Sequence, residues 1–107
     1  MYRGLLVMVV ACATPQSLGP VGSTVRLRGT ISDTPHQHLE QHVPGKQIAY
    51  FDYAPDRQAV LYWATAVACP GTLLVTGTVI AVTGASKGGD GEVTERSIDV
   101  ATAECLP

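Results

Sequence analysis

The chain has 107 residues, 46% of them hydrophobic and 15% charged, the balance of one small globular domain and of neither a disordered polymer nor a membrane bundle. Seven basic residues against nine acidic ones give a formal charge of −2, which argues against a general polyanion binder with its net basic footprint. A domain of this size buries only about 60–68% of its unfolded surface, so a covalent tie would matter, and three cysteines are present.

The chain opens Met-Tyr-Arg-Gly-Leu-Leu-Val-Met-Val-Val-Ala-Cys, with one cation, Arg3, before seven uninterrupted apolar residues, Leu5 to Ala11. That run is too short to span a bilayer and meets the minimum of a secretory hydrophobic region. An apolar strand buried in a sheet is the alternative, but nothing in Met1 to Ala11 alternates with the period of two of a half-buried strand. The stretch Val9-Val10-Ala11-Cys12 resembles the lipobox of bacterial lipoproteins, in which a small residue precedes an invariant cysteine that is lipidated and becomes the new N-terminus. The resemblance implies removal of residues 1–11 and attachment to a membrane through a lipid anchor on Cys12. Ala13, standing where Asp would retain a Gram-negative lipoprotein at the inner membrane, implies a cell-envelope location at the outer membrane, facing the periplasm. The mature chain would keep six basic and nine acidic residues, a charge of −3. Residues 12–23 then form the lipidated cysteine and a flexible tether, because Pro15, Gly19, Pro20 and Gly22 oppose helix and strand pairing. With Cys12 assigned to the anchor, Cys69 and Cys105 are left as a disulfide pair, which predicts an oxidising compartment and a stabilisation of roughly 3–4 kcal/mol.

The folded domain is expected to span residues 24–107. Thr24 to Asp33 alternates, with Val25, Leu27, Gly29 and Ile31 on one side and Arg26, Arg28, Thr30 and Ser32 on the other, and reads as the first strand. The longest β-type run is Cys69 to Thr83, interrupted by Gly77. Gly29 and Gly77 occupy equivalent places in two long strands, where a small closed sheet turns its corners. Gln47 to Trp63 reads as a hairpin about Pro55-Asp56, and it holds five of the six aromatic residues. A helix from Pro55 to Ala68 is the competing reading, Asp56 to Ala59 being a good helix start. Gly84 to Gly91 is a glycine loop without phosphate-cradle order, and Glu92 to Cys105 supplies the last strand.

Between the first two strands, Thr34 can cap a short helix, with Pro35 in its first turn and Gln37 completing a capping box, before Pro44-Gly45 stops it. His38 and His42 would then share a face, and His36, His38 and His42, with Glu40 as a fourth donor, are candidate metal ligands. The alternative, a polar connecting loop, is favoured, because a structural zinc site wants four protein ligands.

Five strands, a long first loop, a hairpin and a final hairpin resemble the OB-fold. The expected fold is therefore all-β: a small five-stranded OB-like barrel with at most one short helix. The resemblance implies ligand contact on the face of strands two and three, where Tyr50, Tyr53 and Tyr62 are the candidate ligand face. No Ser/His/Asp order can be singled out, so a non-catalytic binding or scaffolding module without a cofactor is expected. Its partner would be an envelope protein or a small ligand. Single-strand nucleic acid, which such aromatic faces stack, is disfavoured by export and negative charge.

Overall fold

The computed structural model describes residues 16–54, 56–85 and 91–107. Five strands, β1 Thr24–Ile31, β2 Gln47–Asp52, β3 Gln58–Trp63, β4 Leu73–Ala85 and β5 Glu92–Cys105, close into a barrel in the order β1-β2-β3-β5-β4. All neighbours are antiparallel except β3 and β5. This is the five-stranded OB-like barrel, and no helix occurs among the described residues.

Two glycines make the closure possible. A Cβ on Gly29 would lie 2.0 Å from the Asp52 carbonyl oxygen, and one on Gly77 would lie 2.3 Å from that of Asp99. At Gly29 β1 leaves β4 and joins β2, its register passing from Leu73 to Asp52 at Thr30. At Gly77 the β4–β5 ladder slips by one residue between Thr76 and Gly77, the bulge that bends a long strand.

The alternation read in β1 holds up to its corner: Val25 and Leu27 are buried and Arg26 and Arg28 exposed, whereas Ile31, beyond Gly29, is 41% exposed. Inside the ring these residues meet Phe51, Leu61, Val75 and Ile98, among others. The β2–β3 hairpin turns as expected, with Asp56 at φ 62°, a left-handed position that Asp tolerates better than most side chains. The helix alternative for 55–68 is not realised, since 58–63 is strand and 64–68 is irregular. β4 begins at Leu73, just after Pro70-Gly71, and Cys69 is bonded to Cys105 across 36 positions, with Cα atoms 5.5 Å apart. The Leu106 N–H, donated to the Thr72 carbonyl at 2.8 Å, extends the ladder beyond the bond.

The tether is corrected in its C-terminal half. Gln16 pairs with the backbone of Arg28, accepting its N–H at 2.8 Å and donating to its carbonyl at 3.1 Å, in the manner of a neighbouring strand. Leu18, 8% exposed, belongs to the barrel core. Gly22 donates to the Val79 carbonyl, and Val79 donates to that of Ser23. The glycines here, Gly19 and Gly22 at φ 76° and 92°, make turns that seat Leu18, so the ordered domain starts ahead of Thr24. The lipobox and Cys12 lie outside the described residues, as does the tip of the glycine loop at 86–90.

Candidate functional site

The expected ligand face is the outer surface of β2 and β3, and the chain covers it with its own first loop. β3 is buried on both sides: Ala59, Leu61 and Trp63 point into the barrel, while Val60 and Tyr62 point outward and are still 1% exposed. Over them lie Leu39 and Val43, which join Tyr50, Ile80 and Val82 in a second apolar cluster. The only two large aliphatic side chains between Thr34 and Lys46 are thus both spent on this layer, and burying them offsets part of the entropy of ordering the loop.

Polar contacts fix the loop at its backbone. The Leu39 N–H donates to Glu95 Oε1 at 2.6 Å, the Gln41 N–H to the Tyr62 hydroxyl at 3.2 Å, and the His36 N–H to Gln58 Oε1 at 2.7 Å. The expected helix does not form: the Leu39 and Gln41 N–H groups, which it would bond to carbonyls four residues back, are instead taken by barrel side chains. Lys46 Nζ, 2.9 Å from Asp99 Oδ1, ties down the end of the loop.

His38 sits at the centre, its side chain 6% exposed. Nδ1 lies 2.5 Å from Glu95 Oε2 and Nε2 lies 2.9 Å from Gln58 Oε1. Gln58 is oriented by its own partners, because its Nε2 donates to Asp52 Oδ1 at 2.8 Å while its oxygen accepts from His36. Both ring nitrogens of His38 are thus engaged by side chains of the barrel, Nδ1 by Glu95 and Nε2 by Gln58. His36 places its ring centroid 6.3 Å away, stacked on that of His38, and His42 is exposed. The geometry does not bring His36, His38 and His42 together, and no group of three His, Cys, Asp or Glu suited to a metal occurs among the described residues.

The three candidate tyrosines separate as well. Tyr53, 6% exposed, stacks on Phe51 in the barrel core, and Tyr62 is covered as described, so neither offers a ring to a ligand. Tyr50 is half-buried, stacks on His38 with centroids 5.9 Å apart, and donates its hydroxyl to the Glu40 carboxylate. That hydrogen bond, then burial and the nearby negative charge, raise the Tyr50 phenol above its ordinary pKa. The residues that sequence reasoning passes over are Gln58 and Glu95. Their one visible signal is a polar side chain at an outward strand position.

The surface that stays open lies at the disulfide end. The last residues of β1, the first of β2, Trp63 and the segment 66–71 enclose a groove of ≈ 510 Å³. Ile31 and Ile48 are 41% and 37% exposed there, and Val67 and Leu73 form its floor with Trp63. A second depression of ≈ 650 Å³ lies beside the histidine loop, but its polar groups Glu40, Tyr50, His38 and Glu95 are paired with one another or with Gln58. No family model, curated protein or solved structure matches the chain.

Proposed function

We propose that the protein is a membrane-anchored lipoprotein of the cell envelope, held at the outer membrane and facing the periplasm, whose OB-like barrel is a non-catalytic binding module. The lipobox Val9-Val10-Ala11-Cys12 supports the anchor, and the Cys69–Cys105 bond suits an oxidising compartment. The binding role rests on one observation, the apolar groove with exposed Ile31 and Ile48. With the outer face of β2 and β3 filled by the first loop, this groove is where an apolar group of an envelope partner or a small ligand finds matching surface.

Two measurements test the reading. Metabolic labelling with a fatty acid should mark the wild type and not Cys12→Ser; an unlabelled wild type overturns the anchor. An environment-sensitive apolar dye such as anilinonaphthalene sulfonate should brighten with the wild type and lose most of that gain with Ile31→Ser/Ile48→Ser. Equal brightening of both proteins, or none in either, overturns the groove.

A further inference from the structure

We infer that Arg26 and Arg28 on β1 form a contact surface for anionic phospholipid headgroups and turn the barrel so that β1 lies against the membrane; this rests on the lipid-anchor reading of Cys12.

Three observations carry it. The first is reach. Gln16 is fixed to the Arg28 backbone, and Cys12 is four residues upstream, a span of at most about 14 Å when fully extended. A bilayer entered at Cys12 is therefore within reach of β1, while the tether alone leaves the tilt of the barrel free. The second is charge. Arg26 and Arg28 are exposed on one strand face, and with Leu74 and Gln16 they border a depression of ≈ 500 Å³. Neither guanidinium forms an ion pair among the described residues. In strand register the nearest carboxylates are Asp52, opposite Thr30 on β2 and engaged by Gln58, and Glu104, across Leu74 on β5. The third is asymmetry. Glu40, in the first loop, and Glu95 and Asp99, on β5, which does not pair with β1, are held by Tyr50, His38 and Lys46, and Asp52, opposite Thr30 on β2, is engaged by Gln58. A chain of net charge −2 thus presents Arg26 and Arg28, unpaired among the described residues, on the strand that the anchor would hold near a membrane, with Glu40, Glu95 and Asp99 engaged elsewhere. Each cation near an anionic surface favours contact enough that two bias orientation by up to about 30-fold at moderate salt.

The disulfide makes the test specific, because it leaves Cys12 as the one free thiol of three cysteines. The oxidised full chain is coupled through Cys12 to a maleimide-headgroup lipid in nanodiscs of phosphatidylcholine, with or without one part in three of phosphatidylglycerol. A trace of gadolinium-chelating lipid then broadens amide resonances near the bilayer. In the anionic discs, Val25 to Gly29 should broaden several-fold more than Glu40 to Val43, and Arg26→Gln/Arg28→Gln or high salt should level the two. Equal broadening of both segments in anionic discs overturns the inference, as does a contrast that the double variant retains. The anchor is supplied chemically, so this outcome is independent of the fatty-acid labelling that decides whether cells lipidate Cys12.

Discussion

Along β3, Leu61 and Tyr62 are consecutive residues that face opposite ways, and both are almost wholly buried. Leu61 enters a closed ring whose lining is aliphatic and aromatic and whose backbone is paired strand to strand. Tyr62 enters a thinner layer roofed by an irregular loop, where apolar contacts alternate with His38, Glu95 and Gln58 and where the Ser97 hydroxyl has no partner among the described residues. Equal burial thus conceals unequal cooperativity. The inner core fails only with the barrel, whereas the outer layer can open by releasing a loop held through a few side-chain contacts.

Among the hardest blows to the inner region, alongside Gly29→Ala, is Gly77→Ala. Its Cβ would fall 2.3 Å from a backbone oxygen that no rotamer change can move, so we expect destabilisation of about 4 kcal/mol or more, read by urea unfolding. A cost under about 1 kcal/mol would mean that the corner relaxes. Next, Leu61→Ala should cost about 2–5 kcal/mol and lower protection from hydrogen exchange across all five strands. Its neighbour provides the contrast. Tyr62→Phe removes only the acceptor for the Gln41 N–H, so it should cost about 1 kcal/mol and speed exchange in the first loop while leaving β1 and β4 unchanged. Uniform loss of protection in Tyr62→Phe would show that the two layers open together.

The smallest effect concerns pH. The Tyr50 phenol is raised by its bond to Glu40, so the native state keeps this proton after the unfolded chain, ionising near pH ~10, has released it. Its stabilisation is fully present below that pH and is lost as pH rises through the folded value. Melting temperatures measured from about pH 8 to 11 should fall less steeply in Tyr50→Phe than in the wild type. Parallel curves would remove this bond from the loop's attachments.

The inner region was legible from the sequence and the outer one was not, for a physical reason. Val25 and Leu27 alternate with arginines, Gly29 and Gly77 interrupt β-rich runs at the corners, and Pro55-Asp56 marks the hairpin; each is a local signal imposed by strand geometry. The first loop carries local signals too, but they point to a helix that does not form. Its fate is decided by Glu95, Gln58 and Tyr62, between 20 and 57 positions away from the residues they hold, and no window of the sequence contains both sides of those contacts. The tether failed similarly. Gly19 and Gly22 do make turns there, but Leu18, Gln16 and the backbone bonds of Gly22 and Ser23 to Val79 fasten residues 16–23 to the barrel.

The parallel contact between β3 and β5 spans only the register Leu61 to Ile98 and Tyr62 to Asp99, and it governs the order of assembly. β5 is last in the chain and pairs on both of its edges, with β4 along its length and with β3 at its middle. Until it arrives, the ring is an open sheet with two unsatisfied edges, the state from which strands add to other molecules. Closure must also wait for contacts between distant parts of the chain, which slows folding relative to proteins built from local pairings. Premature termination between Ala85 and Glu92 therefore leaves a sticky four-stranded fragment, and refolding of the whole chain should have ring closure by β5 as its slow step.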